Sequence, residues 1–116
     1  MPVTLALGAE PARLPAAERD RLALTLTATN DGDEVVDPEL HRTALLVDGA
    51  PAIAFGLAVG NGRRDDRWFA LPPGESVSMT WSSLGEAVLP AEPGEHELVL
   101  ALNGVRSAPA RVVVAD

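Results

Sequence analysis

The stretch Arg21-Leu-Ala-Leu-Thr-Leu-Thr-Ala-Thr-Asn30 limits what this chain can become more than any other. Leu22, Leu24, Leu26 and Ala28 alternate with Ala23, Thr25, Thr27 and Thr29. Period-two alternation with threonine on the outer row is the signature of a half-buried strand. On a helix the same leucines would scatter around the cylinder. The pattern returns in Ser76–Ser82, where Val77, Met79 and Trp81 share a face. It returns again in Glu95–Leu102, with His96, Leu98, Leu100 and Leu102 on one side, and in Ala110–Val114.

Turn dipeptides separate these runs: Asp31-Gly32, Asp48-Gly49, Asn61-Gly62, Pro73-Gly74, Pro93-Gly94 and Asn103-Gly104. Asp-Gly and Asn-Gly suit two-residue hairpin turns, whose central residues need positive φ. The rhythm predicts strands near 3–7, 21–30, 35–47, 52–58, 67–71, 75–82, 95–103 and 108–115, the last two as a hairpin through Asn103-Gly104. Residues 10–20 could form one helical turn or a loop. The expected fold is all-β, a single antiparallel β-sandwich of seven or eight strands occupying residues 1–116 as one domain.

Composition narrows the function classes. The net charge is −8, so nucleic acid and anionic lipid are repelled as partners. No cysteine is present, which removes disulfides, thiol catalysis and Cys–zinc sites. No run is long enough to span a membrane and the first residues lack a basic, apolar leader, so a cytoplasmic location is expected. Aromatic residues make up only 3%, too few for a stacking face that would hold sugars.

Several segments resemble bacterial immunoglobulin-like domains. "LALTLTATNDGDEVV" (22–36) is similar to their second strand and following turn, "LPPGESVSMTW" (71–81) to a later turn and strand, and "EPGEHELVLALNG" (92–104) with "SAPARVVV" (107–114) to the last hairpin. Within that group, the bacterial intracellular proteinase inhibitors share the general layout. The resemblance implies an immunoglobulin-like sandwich that binds rather than catalyses. It also implies a tyrosine where His96 stands.

The acidic stretch "TNDGDEVVDPELH" (29–41) poses a choice between a cation site and a turn. Calcium loops need about six to eight converging oxygens. The run beginning Asp31-Gly32-Asp33 lacks a third alternating ligand and a late bidentate glutamate, so a solvated turn explains it more cheaply and no metal site is assigned. His41 and His96 lie on different expected strands, and His96, among leucines, reads as a core histidine. No Ser, His and Asp set stands in a nucleophile context, and no enzymatic activity or cofactor is expected.

Residues 52–74 are the least ordinary. An uncharged run, Ala52 to Gly60, leads through Asn61-Gly62 into Arg63, Arg64, Asp65, Asp66, Arg67, Trp68 and Phe69. Arginine and tryptophan are enriched at binding hot spots. Arg63, Arg64, Asp65, Asp66, Arg67 and Trp68 are therefore the candidate contact with a protein partner, although only one of Trp68 and Phe69 can face outward on a strand. Exposed sheet edges, 3–7 or 52–58, offer a second device to which a partner can add a strand, and the uncharged run 52–58 is the expected homodimer edge. The expected function is a non-enzymatic protein–protein interaction module. Inhibition of an intracellular protease or other enzyme is the alternative, and a carbohydrate- or calcium-binding accessory module a third reading.

Overall fold

The computed structural model describes residues 2–60 and 66–115. The alternating run at 21–30 forms the centre of the first sheet. Here β1 (Val3–Glu10), β3 (Ala23–Asn30) and β6 (Ser76–Trp81) lie in the order β1-β3-β6, all antiparallel. Its outer face is a ladder of hydroxyls. Thr25 bonds Thr80 at 2.9 Å, Thr27 bonds Ser78 at 2.8 Å and Thr29 bonds Ser76 at 2.6 Å. Cross-strand pairs of this kind are the stabilising unit of a sheet.

The second sheet contains β2 (Arg13–Pro15), β4 (Ala44–Val47), β5 (Ala50–Pro51), β7 (Gly94–Leu102), β8 (Val105–Arg106) and β9 (Ala110–Ala115). Their order is β2-β9-β7-β4-β5, with β8 also paired to β7. Two tight turns form as the dipeptides require. Asp48-Gly49 has φ of 52° and 86°, and Asn103-Gly104 has φ of 48° and 83°. One hydrophobic core draws on both sheets: Leu5, Leu24, Leu26 and Val77 from the first, and Leu45, Leu98, Leu100, Val112 and Val114 from the second.

The expected all-β, wholly antiparallel immunoglobulin-like sandwich is corrected on two counts. First, β2 pairs with β9 in parallel, Arg13 opposite Val113 and Leu14 opposite Val114. The chain leaves the edge of the first sheet after β1 and joins the second without reversing. Pro11 and Pro15, which have no N–H, bracket the short strand that results. A parallel pair needs a long connection, and here nearly the whole chain supplies it.

Second, helical segments interrupt the strands. Residues 52–58, expected as a strand, lie mostly in α1 (Ile53–Gly60). Phe55 and Val59, four residues apart, point into the core. Short 3-10 segments cover Ala16–Arg21, Leu40–Arg42 and Asp66–Trp68, and a single turn, α2, spans Gly85–Val88. The expected strand at 35–47 breaks into a bridge at Val36, opposite Leu71, and β4. Pro38 and the left-handed Glu39 (φ 57°) separate the two. The architecture is therefore mixed: two sheets, one combining parallel and antiparallel pairing, with helices on the connections. Among the described residues no helix is long and apolar enough to cross a membrane.

Candidate interaction surface

The acidic stretch resolves as a turn bolted from within. Asn30 is fully buried. Its side-chain amide donates to the Glu34 carbonyl at 2.7 Å and the Leu71 carbonyl at 2.8 Å, and its Oδ1 accepts from the Gly32 N–H at 2.8 Å. Asp31 accepts from the Thr4 hydroxyl, and its own N–H donates to the Pro2 carbonyl at 2.7 Å. Asp33 and Glu34 face solvent. The carboxylates thus fan outward around one buried amide.

The two histidines sit in different settings. His41 is exposed. His96 is buried and holds the β4–β5 turn: Nδ1 lies 2.6 Å from Asp48 Oδ2 and Nε2 lies 2.9 Å from the Glu92 carbonyl. Both partners only accept, so both ring nitrogens donate and this geometry belongs to the protonated imidazole. Asp48 Oδ1 also accepts the Glu97 N–H at 2.9 Å. The hydrogen bond to Asp48, helped by that to Glu92, raises the His96 pKa above 6.5. The bond from His96, then that from Glu97, lowers the Asp48 pKa below 3.8.

The sign of the stability effect follows. A raised histidine value gives stabilisation that is complete below about 6.5 and disappears as pH rises through the folded value. The lowered Asp48 value gives stabilisation present above about 3.8 and lost as pH falls through its depressed value. The pair therefore contributes most between the two. Wild-type Tm, followed by circular dichroism from about pH 6 to about pH 9, is expected to fall, and Asp48→Asn should flatten that fall. An equal slope in both proteins would show that His96 is not the group responsible.

The contact inferred from sequence is only partly brought together. Arg63, Arg64 and Asp65 lie outside the described residues. Asp66 is exposed in the 3-10 turn. Arg67 turns back on its own chain, its Nη1 donating to the Ser76 carbonyl at 3.3 Å and lying 3.9 Å from Glu75. Trp68, expected at the contact, is 1% exposed and packed in the core rather than on the surface. Its neighbour Phe69, 48% exposed, is the one that faces out. The 3-10 turn replaces the expected strand at 67–71, and the large indole takes the inward place. Trp81, on the face it shares with Val77 and Met79, is half-buried and meets Phe55 edge to face at 5.1 Å.

A second surface went unnoticed in the sequence. On α1, Ile53 and Leu57 sit four residues apart on the side opposite Phe55 and Val59. They are 78% and 64% exposed. The helix carries no charge along its length. Beside it runs a groove of about 400 Å³ between the β4–β5 turn, the start of α1 and the segment 87–90. Every residue lining it is alanine, valine, isoleucine or proline, with Val47, Pro51, Ile53, Val88 and Pro90 among them. Scattered apolar residues on a surface are ordinary, whereas a contiguous patch of this kind marks a contact site. Leu57 and Ile53 at i and i+4 were the available signal, but an apolar run reads equally well as a buried strand.

No family model matches the chain, and no curated protein matches it. Among solved structures it is similar to a β-glucosidase from Erythrobacter marinus, with a TM-score of 0.61 and 19% identity over 97% of this chain. The chain spans 15% of that protein's length, and at this identity the likeness concerns the fold alone.

Proposed function

We propose that this chain is a non-enzymatic protein-interaction module that receives an apolar segment of a partner protein on α1 and the adjoining groove. One observation carries the reading: Ile53 and Leu57 stand largely in water on a helix without charge, beside a groove lined only by apolar side chains. Burying both residues against a partner would contribute about 3 to 6 kcal/mol before the costs of association. The buried histidine supports the non-enzymatic part, because both its ring nitrogens are engaged by Asp48 and Glu92 and neither is open to a substrate.

The test places a photo-crosslinking residue at Leu57 in cells, with Thr27 on the hydroxyl face as the comparison site. A protein adduct formed from position 57 and not from position 27 is expected. The Ile53→Asp/Leu57→Asp double variant should lose that partner while its Tm stays close to wild type, since both residues are exposed. Retention of the partner by the folded double variant would overturn the assignment of α1.

A further inference from the structure

The hydrogen bond from the Asp31 N–H to the Pro2 carbonyl fixes the phase of the β1–β3 ladder. Residues 2 and 31 occupy opposed positions in the same register that sets Val3 opposite Asn30. In an antiparallel ladder, hydrogen-bonded and non-bonded pairs alternate. Thr4, Ala6, Gly8 and Glu10 therefore bond β3, and the N–H and C=O groups of Val3, Leu5, Leu7 and Ala9 face the other way. That side of β1 is a sheet edge, and among the described residues no backbone group pairs with it.

Edges are normally blunted by lysine, proline, a bulge or brevity. β1 is eight residues long and pairs with β3 at every position without a bulge. Residues 3–9 carry no charge and no proline. Along residues 3–9 the outer face presents only Thr4, Ala6 and Gly8, all small, and Glu10 follows at the end of the strand.

From this geometry we infer that β1 pairs with β1 of a second copy of this chain, antiparallel, about a twofold axis through Ala6. Three features single out this partner and register. Edge-facing residues meet edge-facing residues: Leu5 opposes the partner's Leu7, and Val3 opposes the partner's Ala9. Four such pairs exchange two hydrogen bonds each, about eight in all. At the axis Ala6 faces the partner's Ala6 as a non-bonded pair, the position where Cα atoms approach to about 4.5 Å and small side chains fit. The apolar inner row also stays continuous across the junction, as an isologous interface requires.

Charge points the same way. A chain of net charge −8 repels its own copies over most of its surface. Along residues 3–9 it meets them without charge, and the twofold axis carries the two Glu10 side chains to opposite ends of the junction. The product is one sheet in the order β6-β3-β1 continued by the partner's three strands. This surface is separate from α1, and neither depends on the other.

Single cysteines test both the partner and the register, because the chain has none of its own. Sedimentation velocity on the wild type should give a species of twice 12.1 kDa as concentration rises. Ala6→Cys should link to itself under mild oxidation. Thr4→Cys and Gly8→Cys should each stay single alone and link when mixed, since Thr4 opposes the partner's Gly8. A Cβ at Gly8 meets Thr25 at an ordinary 3.5 Å, so that variant should fold. Ala6→Lys, with Tm unchanged, should weaken dimerisation about a hundredfold or more by setting like charges at the axis. A wild type that sediments at 12.1 kDa at every concentration would sink the inference. So would Thr4→Cys linking to itself as readily as Ala6→Cys.

Discussion

Gly85→Ala is expected to cost about 4 kcal/mol, a loss in the range reserved for severe core defects. Gly85 is buried at the start of α2, where the single helical turn presses on the 3-10 segment Ala16–Arg21. A Cβ there would lie 1.9 Å from the Arg19 carbonyl oxygen and 2.7 Å from Leu22 Cβ. Neither obstacle is the flexible end of a side chain, so relief requires the backbone to move. That movement would also break the contact that finishes α2. Arg19 donates from Nη1 to the Leu89 carbonyl at 2.8 Å and the Glu86 carbonyl at 3.2 Å, with its Nε on the Ala16 carbonyl at 2.8 Å. Urea unfolding measures the loss. The comparison variant is Gly56→Ala on the exposed side of α1, where an added methyl meets nothing within 4 Å. Glycine inside a helix costs about 0.5–1 kcal/mol relative to alanine, so this second variant should be the more stable protein. Equal effects at the two sites would mean that the packing of α2 on residues 16–21 is wrong.

Asn30→Ala should cost about 3 kcal/mol and lower Tm by roughly 15 °C. The side chain is fully buried and makes three hydrogen bonds that tie the 31–36 turn to Leu71. Its loss strands carbonyl and amide groups whose desolvation has already been incurred. Asn30→Asp is the sharper test. The shape is kept, but a carboxylate cannot donate to the Glu34 and Leu71 carbonyls and would itself be a buried charge. Thermal melts should show it at least as damaged as the alanine variant near neutral pH, with part of the loss recovered in acid. A harmless Asn30→Asp would exclude the two donor contacts as the basis of the turn.

The parts of the fold that were legible are those in which local pattern and tertiary role coincide. β3, β6, β7 and β9 each bury one face, so leucine, valine and threonine alternate visibly along them. His96 could be read as buried for the same reason. Its partner could not, because Asp48 lies 48 positions away and only the register of β4 with β7 brings them together. α1 defeated the pattern because both its faces are apolar: Phe55 and Val59 go in while Ile53 and Leu57 stay out. A run of that kind shows no period, and length and composition suit a short buried strand as well. The choice between Trp68 and Phe69 was likewise invisible, since the 3-10 turn that decides it depends on where Leu71 meets Val36. The parallel pairing of β2 joins the two ends of the chain, beyond the reach of any local signal.

That same pairing determines how the molecule would bear a load. Residue 3 begins β1 and residue 115 ends β9, so tension applied at the two ends of the described chain enters through the two terminal strands. Because β2 and β9 run parallel, their outer ends are drawn in opposite directions along the strand axis. The bonds between Arg13–Pro15 and Val113–Ala115 are then sheared together rather than unzipped singly. Where tension reaches this pair, the two strands must slide past each other for it to yield.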